Sequence, residues 1–121
     1  MERIMDNYVI VRPEYLNQHG HLFGGQMLRW IDEFCWIKAA IDFPGKKLVT
    51  RAMGNTTFNR GIPDGSILRF DTQQEKVGHT SATYRCDVYI LDNKEENKKP
   101  VFATTITFTA VGEDGKKTPI R

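Results

Sequence analysis

Apolar residues recur at three- and four-residue intervals through GGQMLRWIDEFCWIKAAI, and beyond residue 46 the chain changes to runs in which apolar and polar positions alternate. The first period is that of a helix, expected over about residues 25–41 and stopped by Pro44 and Gly45 in DFPGKK. The second is that of strands. Four long ones are expected, over residues 47–58, 66–77, 80–91 and 100–111, each rich in Val, Ile, Thr, Tyr and Phe and bounded by turn residues. A short apolar segment at residues 8–11 precedes the helix. Strands of about a dozen residues would run roughly 40 Å if straight, so a strongly bent sheet is expected. With one helix to cover it, the sheet must curl around that helix, an α+β architecture.

At about 100° per residue, Met27, Trp30, Ile31, Phe34, Ile37 and Ile41 fall in one stripe, assigned to the sheet. Lys38 falls near it, so either its stem snorkels or the stripe is rotated. The opposite face carries Leu28, Asp32, Cys35, Trp36, Ala39 and Ala40. It too is mostly apolar, and one curled sheet covers one side only. The second cover expected is another subunit.

At 121 residues the chain has the size of a single domain, residues 1–121, with one core. Apolar residues make up 40% and charged residues 26%, which places it among soluble globular chains. A net charge of +2 is too small to call for nucleic acid. No run reaches the apolar length of a membrane span, and MERIMDNYVIVRP lacks the apolar core of a signal peptide, so a cytoplasmic protein with no membrane partner is expected. Cys35 and Cys86 lack motif spacing and are expected as reduced, packed thiols. The charged stretch at 94–99 reads as a solvated hairpin tip.

Asp32 interrupts the second helix face, with Leu28 and Trp36 one turn to either side. Two readings stand side by side. It is a helical acid exposed to water or paired with an arginine, or a carboxylate held at a partly dry subunit boundary for catalysis. Glu33, one step round the helix, is the better candidate for plain solvation. Gly24 and Gly25 open the helix where Ser, Thr or Asp would be the usual caps. They leave N–H groups at the positive end of the helix dipole with no Cβ in the way, which suits a thioester carbonyl or a phosphate. The alternative is a tight turn that needs positive φ. Gly25 and Asp32 are seven residues apart, roughly 10 Å along a helix axis. A carbonyl held at the N-terminus is out of reach of the same helix's acid, so joint action would need Asp32 from a second subunit.

Asn17, Gly20, Phe23, Gly24, Gly25, Trp30, Ile31, Asp32 and Glu33 together form a pattern that closely resembles the acyl-CoA hydrolase branch of the hot-dog-fold thioesterases. The resemblance runs across nearly the whole chain, including NTTFNRGIPDGSILRF and KVGHTSATYRCDVYI. It implies a long antiparallel sheet wrapped around a central helix, and homodimers that assemble further into a hexamer, a trimer of dimers. It implies hydrolysis of acyl-CoA to free acid and CoA, with CoA a part of the substrate rather than a cofactor. Asp32 would be the general base or the nucleophile, and Asn17 of the facing subunit would position the water or the carbonyl. The amide of Gly25, with Gly24, would polarise the thioester oxygen. For CoA the resemblance implies Arg60, in the loop at the cofactor mouth, with Thr80 and Ser81; Lys76 and Arg51 are secondary candidates. The acyl chain would run near Leu28, Trp36 and Met53. His21 and the stretch Phe58-Asn59-Arg60-Gly61 depart from the family's pattern, which bears on the acyl pocket and the CoA contacts.

Other chemistries fit less well. Ser66 and Ser81 are the only serines, and neither lies in a G-x-S-x-G elbow. His19 and His21 lack a third metal ligand, and there is no P-loop or G-x-G-x-x-G. A hot-dog dehydratase or hydratase would use a histidine in the helix region, and this helix has none. A non-catalytic acyl-CoA binding or sensing module shares the fold, but Asn17, Gly25 and Asp32 together exceed what binding alone requires.

Overall fold

The computed structural model describes residues 4–121. Its strands are β1 (Met5–Ile10), β2 (Lys47–Met53), β3 (Ile67–Val77), β4 (Ser81–Ile90) and β5 (Phe102–Val111). They form one antiparallel sheet in the order β1-β3-β4-β5-β2, and the α-helix α1 (Gly24–Asp42) connects β1 to β2. The chain thus lays down one edge, crosses by way of α1 to the other, and fills the middle with the meander β3-β4-β5. Register shifts between Thr50 and Ala52 in β2 and between Gln74 and Lys76 in β3 add the local bends that let a sheet curl.

Two strands differ from expectation, each for a local reason. β1 starts at Met5 because Asp6 and Tyr8 point to its exposed side, where an edge strand tolerates polarity. β2 ends at Met53, well short of residue 58. Gly54 still donates to the Thr105 carbonyl (2.8 Å), but the chain then leaves the ladder. Further along that loop Phe58 packs on Phe102, with ring centroids 4.6 Å apart. The charged stretch at 94–99 is not merely a solvated tip either. It forms a 3-10 turn at Glu95–Lys98 whose Asn97 is buried and donates to the Asp92 carboxylate (2.6 Å).

α1 lies on the sheet with its buried stripe rotated from the expected one. Met27, Trp30 and Ile31 are buried as expected, but the stripe continues through Cys35, Lys38 and Ala39, while Ile41 is 63% exposed. Cys35 and Ala39, assigned above to the second face, therefore face the sheet. Their small side chains let the helix sit close, with the Cys35 thiol beside Cys86 of β4. Hydrogen bonding to Cys86, and then burial, push the Cys35 thiol far above its ordinary range. Both cysteines are free and buried, as expected.

Lys38 does not snorkel: it is 5% exposed. Its ammonium lies 3.2–3.3 Å from both oxygens of Asp42, one turn on. Tyr84 donates to the same carboxylate at 2.7 Å and Gln74 at 3.4 Å, so the buried charges are met by partners on the helix and on two strands. Edge-on aromatic packing of Trp30 and Phe34 against Phe70 fixes the middle of the helix. Burying residues such as Phe70, Phe102 and Phe108 contributes about 1.5–3 kcal/mol each. Among the described residues no helix is long and apolar enough to cross a membrane.

Candidate active site

A 3-10 turn at Pro13–Tyr15 leads into a second reversal at Asn17. Gly20 closes it at φ +78°, a left-handed conformation that glycine takes readily, and donates to the Asn17 carbonyl (3.0 Å). The side-chain oxygen of Asn17 accepts the N–H of His19 (2.9 Å) and of His21 (3.2 Å). Its oxygen is thus committed to the turn. Among the described residues, nothing accepts from its side-chain NH2.

The first turn of α1 has no side-chain cap on Phe23. Gln26 and Met27 donate to the Phe23 carbonyl (3.0 and 3.3 Å), whereas no described group accepts the N–H of Gly24 or Gly25. Neither glycine has positive φ, so turn geometry does not demand them. Two aromatic rings do. A Cβ on Gly24 would stand 3.1 Å from the Phe58 ring, and one on Gly25 would stand 2.6 Å from the Phe23 ring. The space left by the missing Cβ atoms is therefore filled, not vacant. Both rings are themselves about half exposed, at 46% for Phe58 and 57% for Phe23.

Asp32 lies half-buried on the second face, beside partly buried Leu28 and ahead of Trp36, which is 43% exposed and donates to the Leu48 carbonyl (3.2 Å). No described arginine pairs with it. Its Oδ1 accepts the Thr50 hydroxyl at 2.7 Å, and no described group bonds Oδ2. Thr50 went unnoticed in the sequence because a threonine is an ordinary strand residue. What singles it out is register: it pairs with Phe108, which is fully buried, so it faces the helix.

A cavity of about 620 Å³ opens between the start of α1 and the loop that follows β2. Asn17, His21, Gly24, Phe58, Arg60 and Ile62 line it, giving an apolar floor and a rim of cationic and amide groups. The charge of Arg60 also reaches the loop after β4. Asp92 is held below the usual carboxylate range by Asn97 and the Lys94 N–H, with Lys94 and Arg60 adding their charge. One protomer thus gathers Asn17, Gly24 and Arg60 around the cavity, with Gly25 the next residue along α1. Asp32, with Thr50, stands further down the helix. Thr80 and Ser81 sit at the start of β4, whereas Arg60 neighbours the loop after its end, roughly 30 Å away along ten residues.

A curled five-stranded antiparallel sheet around one central helix, in the order seen here, is the hot-dog fold. The chain belongs to the thioesterase superfamily, whose family model matches residues 19–97. It resembles acyl-CoA hydrolases in particular. The acyl-CoA hydrolase of Staphylococcus aureus, solved with butyryl-CoA, CoA and CoA disulfide, is 26% identical with a TM-score of 0.83, the match covering 96% of this chain and 70% of that one. A hexameric hotdog fold thioesterase of Campylobacter jejuni is 26% identical with a TM-score of 0.81, over 95% and 88% of the two chains. An acyl-CoA hydrolase of Bacillus cereus matches in fold at 23% identity, with a TM-score of 0.84 over 96% and 70%. No curated protein sequence matches. The Staphylococcus enzyme has also been solved with single alanine replacements at an aspartate, at an asparagine fifteen positions before it and at a threonine seventeen positions after it.

Proposed function

We propose that this protein hydrolyses acyl-CoA to a free carboxylic acid and CoA, at a site shared by two protomers. The thioester oxygen accepts the open N–H groups of Gly25 and Gly24 at the positive end of α1, where developing negative charge is stabilised. Asp32 of the facing protomer takes a proton from the attacking water, or attacks the carbonyl itself. The uncommitted amide of Asn17 aligns the water or the carbonyl. Arg60 meets the phosphates of CoA, with Thr80 and Ser81 contributed from another protomer, and the acyl chain lies along Leu28, Trp36 and Met53.

One observation carries this reading. Thr50 orients Asp32 through a single oxygen and leaves the other ready to act, on a helix whose own amides are unmet. Two further points support it. The half-exposed face around Trp36, beside partly buried Leu28, offers an apolar surface for a second protomer. The replaced aspartate, asparagine and threonine of the Staphylococcus enzyme parallel Asp32, Asn17 and Thr50. The first two are fifteen residues apart in both chains, and the threonine is seventeen residues on there against eighteen here.

The test is CoA release, followed with a thiol reagent, across acyl-CoAs from acetyl to palmitoyl, with Asp32→Ala alongside. Turnover lost by about 10²–10⁴-fold in the variant is expected of a general base. Label found in Asp32 after single-turnover hydrolysis in H₂¹⁸O would identify direct attack with water opening the anhydride at the Asp32 carboxyl carbon, because a general base keeps its own oxygens. A folded protein that binds CoA but releases none from any substrate would instead be a binding module.

A further inference from the structure

His21 has no part in the reaction proposed above, yet it touches both halves of the site. Its N–H donates to the Asn17 side-chain oxygen (3.2 Å), and its carbonyl accepts the Asn17 N–H (2.7 Å). On its other side the imidazole lies against Gly61. A Cβ at Gly61 would come within 2.7 Å of Cγ and Nδ1 and 2.9 Å of Cε1. Gly61 is not in the left-handed region, so the ring, and not the backbone, keeps that position free of a side chain. Gly61 directly follows Arg60. The same strip is fastened by the Leu22 N–H to the Ile62 carbonyl (2.8 Å) and by bridge pairing of His21 with Pro63. One residue therefore clips the turn that aims Asn17 to the loop that carries Arg60.

We propose that His21 is a positioning residue that couples the two. When Arg60 seats the phosphates of CoA, the contact between Gly61 and the His21 ring fixes the Asn17 turn, so that binding energy from the non-reacting nucleotide raises kcat and does not only lower KM. Close packing is what makes the coupling work, because an imidazole with no slack against a backbone passes a displacement on. The proposal rests on the acyl-CoA reading of the site and adds a residue that the reading does not use.

The experiment compares one acyl group carried on CoA with the same group on pantetheine, which keeps the thioester and lacks the nucleotide. The unaltered protein should turn over the CoA carrier with the higher kcat. In His21→Ala, the ratio of the two kcat values should fall roughly 5- to 10-fold, with kcat on acyl-pantetheine little changed. Gly61→Ala, whose new Cβ displaces the ring, should lower the ratio equally and keeps the test readable should His21→Ala not fold. His21→Phe, which restores a ring against Gly61, should recover most of it. Equal losses on both carriers, or an unchanged ratio, would overturn the coupling, as would an unaltered protein with the same kcat on both. Failure of the unaltered protein on both carriers would sink the hydrolase reading instead, so the two failures are distinguishable.

Discussion

The two ends of α1 are built on opposite plans. At the C-terminal end Lys38, Asp42, Tyr84 and Gln74 satisfy one another in a buried network, and the Phe43 N–H closes the last turn on the Ala39 carbonyl (2.9 Å). At the N-terminal end, among the described residues, no side chain caps the helix and nothing accepts from two N–H groups, and two phenylalanine rings remain half exposed. A helix end can hold a fold or hold a ligand, and its polar groups are not available for both at once. Here the two tasks fall at opposite ends of one helix. Stability should answer to the C-terminal half and activity to the N-terminal half.

The sharpest way to break that division is Asp42→Ala. It strips the carboxylate from a buried ammonium, and since Asp42 keeps 21% exposure the loss should sit at the low end for such pairs, about 3 kcal/mol in denaturant unfolding. Activity per folded molecule should stay as it was; a fall in kcat matching the stability loss would show the two ends to be coupled. Next comes Thr50→Val, at the middle of the helix face. Losing a hydrogen bond to a charged group, worth about 1.5–3 kcal/mol, should lower kcat some 10- to 100-fold with little change in KM. The smallest effect belongs to Gly25→Ala. Its Cβ must push aside the exposed Phe23 ring, so kcat/KM should drop about tenfold. Alanine favours the helix over glycine by about 0.5–1 kcal/mol, so the unfolding midpoint should hold or rise.

The sequence period revealed the helix, the antiparallel strands and the need for a curled sheet, because each depends on spacing within one segment. What it missed depends on pairing between segments. The buried stripe was misplaced because Ile41 outranks Cys35 and Ala39 in hydrophobicity, while the sheet surface had room for the smaller pair. Lys38 reads either as a snorkelling stem or as the sign of a rotated stripe, and only the partners Asp42 and Tyr84 around it decide for the second. Asn17, the glycine pair and Asp32 stood out because they lie in one contiguous motif. Thr50 and the contact between His21 and Gly61 did not, since both join residues far apart in the chain. Thr80 and Ser81 show a third gap: a linear pattern does not disclose that they stand at the other end of β4 from the loop near Arg60.

The roughly 10 Å along α1 between Gly25 and Asp32 has a genetic consequence under the shared-site proposal. A chain with Asp32→Ala and a chain with Asn17→Ala should each be inert alone. Refolded together, they should regain activity, because a hybrid pair concentrates both lesions in one site and leaves the other whole. Random pairing would return roughly a quarter of the unaltered rate. Two dead proteins in one tube would then make a live enzyme.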